Sequence, residues 1–314
     1  MSTGSFALGV DIGGTNTSFG IVDRRGQIHG QGGMKTTGHN TVEDYIAALV
    51  KKVTPLLDKV GRDNIQGIGI GAPNANFYTG EIAYAANLPW KGVIPFAALV
   101  QDVLGYTVTI TNDANAAAIG EMTYGVAKGM RDFIMVTLGT GVGSGFVANG
   151  QLIYGHDGFA GELGHVIAVR NGRKCGCGRN GCLETYASAT GIVRTATEWL
   201  EARNDETVLR HASAPLTAHA IHLAAEKGDK FALELFDFTA QILGQTLADA
   251  VAITSPEAIV FFGGLAKAGP LIVEPTKKYM EENLLRVYQN KVSILHSALS
   301  DSDAAVLGAG ALVW

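Results

Sequence analysis

Apolar residues come along this chain in short runs that end at glycines, separated by stretches in which they recur every three or four positions. FALGVDIGG (6–14) reads as a strand running into a glycine turn, and SFGIVD and GQIHG continue as two further short strands. VEDYIAALVKKVTPLLDKV (42–60) has the spacing of an amphipathic helix, disturbed at Pro55. IQGIGIGAP (65–73) is a buried strand ending in a Gly/Pro loop, and VTITNDANAAAIGEMTYG (108–125) predicts a strand, a polar corner and an Ala-rich helix. From about 183 to 254 the spacing is mostly helical, with FALELFDFTAQILGQTLADAVAI (231–253) the longest pattern. EAIVFFGGLAKAG (257–269) is a strand entering another glycine loop, VSILHSAL (292–299) a late strand, and DAAVLGAGALVW (303–314) a C-terminal helix. Strands alternating with helices predict an α/β architecture.

One module is used twice. DFIMVTLGTGVGSGFVANGQLIYG (132–155) replays the opening of the chain as strand, Gly/Thr loop, strand, turn and short strand. GIVDRRGQI (20–28) aligns with GFVANGQL (145–152) once one residue is deleted. The repeat predicts two related domains, each with a phosphate-facing loop.

The bulk numbers narrow the class. At 314 residues the chain is long enough for two domains, and 47% hydrophobic residues can fill a large core. The net charge is −5 and no dense Lys/Arg patch occurs, which argues against nucleic-acid binding. The N-terminal MSTGSFALGVDIGG lacks a signal pattern, and no apolar run is long enough to span a membrane, so a cytoplasmic protein without a membrane partner is expected.

Three glycine loops follow apolar strands: DIGGTNTSFG (11–20), GTGVGSG (139–145) and FGGLAKAG (262–269). Glycine permits the tight turns that bring backbone N–H groups onto a phosphate. No glycine is followed directly by lysine, which excludes a P-loop, and the last glycine of 139–145 is out of register for a dinucleotide fingerprint. Asp11 beside Gly13, Gly14 and Thr15 suits a Mg²⁺–phosphate site, with hydroxyls offered by Thr15, Thr17 and Thr140. The plainer reading is that Asp11 satisfies turn amides.

All three cysteines lie within GELGHVIAVRNGRKCGCGRNGCLE (161–184). His165, Cys175, Cys177 and Cys182 form a Cys₃His set of the kind that holds tetrahedral Zn²⁺, and Gly176, Gly178 and Gly181 let the chain wrap an ion. The alternative is three buried thiols and a core histidine. Four protein ligands close the ion, so it would act as a cross-link that fixes Glu162 and Glu184 relative to each other. Asn112 and Asp113 stand before the Ala-rich helix, where either side chain would cap free amides.

Taken together, DIGGTNTSFG, TNDANAAAIGE, LGTGVGSG, AGELGH, CGCGRNGCLE and FGG resemble the ROK family of the actin-like sugar kinase superfamily, over residue 7 to about 310. The resemblance is strongest to its glucokinases. It implies a two-domain actin-like ATPase (ribonuclease H-like) fold with an interdomain cleft, the small domain being 1–122 with 300–314 and the large domain 123–299. It implies ATP phosphates on residues 13–17 and on Gly139, Thr140 and Gly141, with adenosine near Gly263 and Gly264. It implies a hexose among Asn87, Asn112, Asp113, Glu162, His165 and Glu184, with Asp113 as general base. ATP, Mg²⁺ and structural Zn²⁺ are the expected cofactors, and a homodimer is the family's expectation. Glucose is the leading substrate; N-acetylglucosamine, N-acetylmannosamine, mannose, fructose and allose stay open, as does polyphosphate as donor.

Two positions depart from the family pattern. Asn74 in GAPNANFYTGE (71–81) replaces a common glycine and adds a side chain near the expected sugar, while Ser144 replaces glycine in GTGVGSG, a change of little expected weight. A repressor of the same family would carry a DNA-binding module ahead of the first loop, which here begins by residue 11. A non-catalytic sugar sensor is disfavoured by the intact Asp113 and glycine loops.

Overall fold

A computed structural model describes residues 5–211 and 215–314, so residues 212–214 of the predicted helical stretch lie outside the described residues. The first elements are β1 (Phe6–Ile12), β2 (Asn16–Asp23), β3 (Ile28–Lys35), α1 (Val42–Val60), β4 (Ile65–Gly71), β5 (Ile82–Ala83), β6 (Val93–Ile94), α2 (Phe96–Leu104), β7 (Val108–Thr111) and α3 (Asp113–Tyr124). They are followed by β8 (Phe133–Leu138), β9 (Val142–Ala148), β10 (Gln151–Leu152), α4 (Glu184–Ala187), α5 (Ala189–Ala202), α6 (Ala218–Glu226), α7 (Lys230–Thr254), β11 (Ala258–Phe262), α8 (Pro270–Asn283), β12 (Ser293–His296) and α9 (Asp301–Ala311). Among the described residues no helix is long and apolar enough to cross a membrane.

The chain divides into two compact units. The first takes the chain up to Arg131, Gly145–Gly161 and Ser297–Trp314; the second takes Asp132–Ser144 and Glu162–His296. Segment 145–161 falls in the first unit, where the second half of β9 packs on α3: a Cβ at Gly145 would stand 2.7 Å from the Ala118 methyl.

The first unit is built on a sheet of order β3-β2-β1-β4-β7. β1 and β2 run antiparallel, as do β2 and β3, while β1, β4 and β7 run parallel. Helix α1 opens with a capping box between Thr41 and Asp44 and buries Tyr45, Ile46, Leu49, Val53 and Leu57 against this sheet's core. Pro55 removes one helix hydrogen bond at about 3 kcal/mol. Five buried side chains at roughly 1.5–3 kcal/mol each outweigh that, so the helix continues. Gly9 and Gly69 leave the sheet bare where α9 crosses it: a Cβ at Gly69 would lie 1.8 Å from the Ala309 carbonyl oxygen, and one at Gly9 2.2 Å from that of Val306. The glycines of GVDIGG and GIGIG thus serve packing at these two positions.

The second sheet has the order β10-β9-β8-β11-β12, with β8, β11 and β12 parallel. Both sheets therefore list a three-strand meander in reverse, then two parallel strands, which is the repeat seen in the sequence. Helices α2 and α8 are additions to the sequence reading. α8 starts with Pro270 at its first turn and lies directly on α7, where a Cβ at Gly244 would meet the Thr276 carbonyl oxygen at 2.6 Å.

Candidate active site

In the first unit the parallel strands bring three chain positions side by side. Asp11 on β1 pairs with Gly71 on β4, and Gly71 pairs with Thr111 on β7. The polar corner Asn112–Asp113 follows at the same carboxyl ends, where α/β sheets present their ligands. Asn112 is the N-cap of α3 and accepts from the Ala114 N–H at 2.9 Å, while Asp113 Oδ1 accepts from the same N–H at 2.8 Å. The cap does not depend on Asp113 alone, since Asn112 accepts the same N–H.

Gly71 separates the two carboxylates. A Cβ there would lie 3.4 Å from Asp11 Oδ1 and 3.6 Å from Asp113 Cα. Desolvation, then the charge of Asp113, pushes the Asp11 carboxyl up to about 7. Asp113 is also raised, by desolvation against which the Ala114 N–H acts; its side chain stays open to solvent, which tempers the push. A folded-state value above the ordinary 3.8 means that the native state holds the proton longer than the unfolded chain. The stability contributed by a protonated Asp11 is therefore full below about 4 and lost as pH rises through about 7. Thermal melts should show Asp11→Asn gaining on the wild type at pH 8 and not at pH 4; an equal gain at both would show that Asp11 is not raised.

The first glycine loop is closed by the Gly13 N–H donating to the Asn16 carbonyl at 2.9 Å. Gly14 lies against Asn87, whose carbonyl oxygen would stand 2.8 Å from a Cβ. The structure thus brings a predicted phosphate glycine and a predicted sugar contact together. Thr15 is exposed on the loop. Thr17 is not: it is buried, its Oγ1 bonded to Thr36 Oγ1 at 2.9 Å and to the Tyr45 hydroxyl at 2.8 Å. In this structure its hydroxyl serves as an internal brace for the loop. Asn74 has a φ of 54°, a left-handed conformation that asparagine tolerates better than most residues, and its amide donates to the Ala83 carbonyl at 3.1 Å. Its side chain is committed to its own loop.

In the second unit, Gly139–Gly141 follow β8 and Gly263 follows β11, again at neighbouring strand ends. The loop is held by Gly139 N–H to Gly141 O at 3.1 Å, by Ala189 N–H to Gly139 O at 2.8 Å and by the Thr190 hydroxyl to Thr140 O at 2.7 Å. Gly263 has a φ of 100° and sits 2.7 Å, measured from a Cβ, from the Leu138 carbonyl oxygen; Gly264 faces open space.

Glu162 precedes a tight turn, Leu163–His165, closed by His165 N–H to Glu162 O at 3.0 Å. The buried Ser144 accepts the Leu163 N–H on Oγ at 3.1 Å and so ties this turn to β9, more than its expected weight. His165, Cys175, Cys177 and Cys182 converge, with one ligand atom from each lying within 4.8 Å of the others. Zn–S bonds of about 2.3 Å in a tetrahedron place sulfurs about 3.8 Å apart. Cys177 and Cys182 sulfurs are 3.6 Å apart, and Cys175 Sγ is 3.8 Å from His165 Nδ1, so the donor set fits zinc. Gly178 and Gly181 have φ of 89° and 83°, and a Cβ at Gly181 would collide with the Val169 carbonyl oxygen; Gly176 faces open space and is not needed for the wrap.

Glu184 stands between this cluster and the glycine loop. Its Oε1 is 3.0 Å from Cys175 Sγ and 3.7 Å from His165 Nδ1, and its Oε2 would be 2.6 Å from a Cβ at Gly141. Arg173 carries no local signal in the sequence. Its backbone N–H donates to the Tyr186 hydroxyl at 2.8 Å, its guanidinium donates to the Thr185 carbonyl at 2.8 Å and to Glu198, and it lies 4.4 Å from the Tyr186 ring centroid. These partners lie ahead in the fold rather than in the motif, so no local signal pointed to them.

Two repeated α/β units with glycine loops at their strand ends, one carrying a Cys₃His cluster, define a nucleotide-type kinase architecture. The sequence model of the ROK family matches residues 7–314, and the chain belongs to that family. It is 36% identical over 316 residues to a glucokinase of Halalkalibacterium halodurans, covering 98% of this chain and 94% of that protein. It is 33% identical over 309 residues to a glucokinase of Thermotoga maritima, covering 98% and 96%. A crystal structure of a ROK family glucokinase from Streptomyces griseus in complex with glucose and AMPPNP superposes with a TM-score of 0.82 at 31% identity, covering 98% of both chains. The fold is the actin-like ATPase fold of these sugar kinases.

Proposed function

We propose that this protein transfers the γ-phosphoryl group of ATP to the 6-hydroxyl of a hexose, with glucose as the substrate. The observation that carries the reading is the Asn112–Asp113 corner, a carboxylate capped at a helix start beside a second carboxylate at the ends of parallel strands. Phosphoryl transfer asks mainly for position and charge, plus a base for the attacking hydroxyl. Asp113 takes the hydroxyl proton as the sugar oxygen bonds to the γ-phosphorus, and the bond to the bridging oxygen breaks to release ADP. A carboxyl raised above the ordinary range is a better base than a free one.

The sugar is held by Asn87, Asn112, Asp113, Glu162, His165 and Glu184, and the phosphates by the amides of Gly13, Gly14, Gly139 and Gly141 with the hydroxyls of Thr15 and Thr140. The bare Gly264 leaves room for adenosine. Among the described residues no basic side chain pairs with Asp11, and a desolvated carboxylate next to another suits a cation, so Asp11 would hold Mg²⁺, which offsets phosphate charge. His165, Cys175, Cys177 and Cys182 would hold Zn²⁺, which supplies a rigid cross-link and no reacting group. Family membership supports a homodimer and a cytoplasmic setting, and the net charge of −5 supports the absence of a nucleic-acid partner.

Phosphorus NMR of protein with glucose, ATP and Mg²⁺ tests the reading. The expected products are ADP and a hexose phosphorylated on the 6-oxygen. Turnover on an N-acetylhexosamine but not on glucose would move the substrate, and turnover with polyphosphate but not with ATP would overturn the donor.

A further inference from the structure

Next to the first glycine loop lies a buried cluster that the proposed chemistry does not use. Tyr45, on the buried face of α1, is fully enclosed. Its hydroxyl is bonded to Thr17 Oγ1 at 2.8 Å, and Thr17 Oγ1 is bonded to Thr36 Oγ1 at 2.9 Å, so these buried hydroxyls satisfy one another. Thr36 also donates its backbone N–H to the Thr15 carbonyl at 2.9 Å. The loop is thus held at Thr15 and Thr17 by the residue after β3 and by α1. Burial pushes the Tyr45 phenol up, so it stays a neutral hydroxyl at working pH.

The ring of the same side chain meets a different segment. It packs on the Trp90 ring, with centroids 4.6 Å apart and planes at 56°, and the Phe96 ring lies 6.2 Å from Tyr45 and 6.3 Å from Trp90. Trp90 is buried and its indole N–H has no hydrogen-bond partner among the described residues, so these ring contacts are what fix it. Trp90 ends NLPW (87–90), a turn held by the Lys91 ammonium, which donates to the Leu88 carbonyl at 2.9 Å. That turn carries Asn87, whose carbonyl oxygen lies against Gly14 of the loop.

We infer that Tyr45 is a positioning residue for both substrates: its hydroxyl sets the first glycine loop through Thr17, and its ring sets the Asn87 turn through Trp90. The inference rests on the proposed reading, in which that loop holds ATP phosphate and Asn87 contacts the hexose. Because two ends of one rigid side chain serve two segments, loosening one end disturbs one substrate and spares the other. A tyrosine that only filled the core would change stability without separating the two.

Steady-state kinetics of Tyr45→Phe, Thr17→Val, Thr17→Ser and Trp90→Phe test it. Tyr45→Phe keeps the ring and removes only the hydroxyl. KM for ATP should rise about three- to tenfold, the worth of one hydrogen bond, while KM for hexose stays within about twofold. Thr17→Val should raise KM for ATP at least as far, and Thr17→Ser should bring it back towards the wild-type value. Adding Tyr45→Phe to Thr17→Val should cost nothing further, because both break the same bond. Trp90→Phe keeps an aromatic core but shortens the ring, and should raise KM for hexose about three- to tenfold with KM for ATP within about twofold. Equal rises of both KM values in either aromatic variant, an unchanged KM for ATP in Tyr45→Phe, or an unchanged KM for hexose in Trp90→Phe would overturn the inference. A wild-type protein without sugar-dependent ADP release would instead overturn the function on which it rests.

Discussion

Asp113→Asn lowers kcat for hexose phosphorylation by about 10²- to 10⁴-fold, the range that a positioned general base supplies. The amide is nearly isosteric and its oxygen still accepts the Ala114 N–H, so the α3 cap survives. What is lost is the proposed acceptor for the sugar proton. KM for ATP should stay within a few-fold, since the glycine amides proposed to hold the phosphates lie on other loops. The substitution also removes the charge that helps raise Asp11, so Asp11 titrates at a lower pH in this variant. Parallel measurements of kcat, both KM values and the melting temperature check these points together. A variant that melts like the wild type yet retains its kcat would remove Asp113 from the chemistry.

The second large effect is on the metal loop. Cys177 is the exposed member of the proposed zinc set, whereas Cys175 and Cys182 are buried, so Cys177→Ser disturbs packing least. Burial pushes the Cys175 and Cys182 thiols up, and a bound zinc reverses this by taking them as thiolates. Removing one ligand should therefore bring zinc content from one per chain to near none. Glu184 lies against Cys175 and His165, and Glu162 begins the turn that carries His165, so both carboxylates lose their frame. A hydrogen bond from a sugar hydroxyl to a held carboxylate is worth roughly 1.5–3 kcal/mol. KM for the hexose should rise by about 10- to 100-fold, with a smaller change in KM for ATP. Elemental analysis beside sugar titrations checks it, and unaltered sugar affinity in zinc-free protein would reduce the cluster to a bystander.

Much of this was legible because the signals are local. Helix α1 and the long α7 announce themselves through regular apolar spacing, and the duplicated meander through aligned glycines and turns. The cysteines were readable because there are only three and they crowd one stretch. What was not legible depends on partners distant in sequence. The Thr17 hydroxyl turns inward because Thr36 and Tyr45, 19 and 28 residues away, receive it. Helix α8 hid because Pro275 and Thr276 break its apolar pattern, and its burial is decided by α7. Ser144 gained importance only when Leu163 came to donate to it.

The central claim is that a hexose is phosphorylated from ATP with Asp113 as base. It is tested most directly by ADP release from ATP and Mg²⁺ across a hexose panel, using zinc-loaded wild type and Asp113→Asn side by side. The account predicts sugar-dependent release, fastest with glucose, that the substitution abolishes. Folded, zinc-loaded wild type that releases no ADP with any sugar would contradict it.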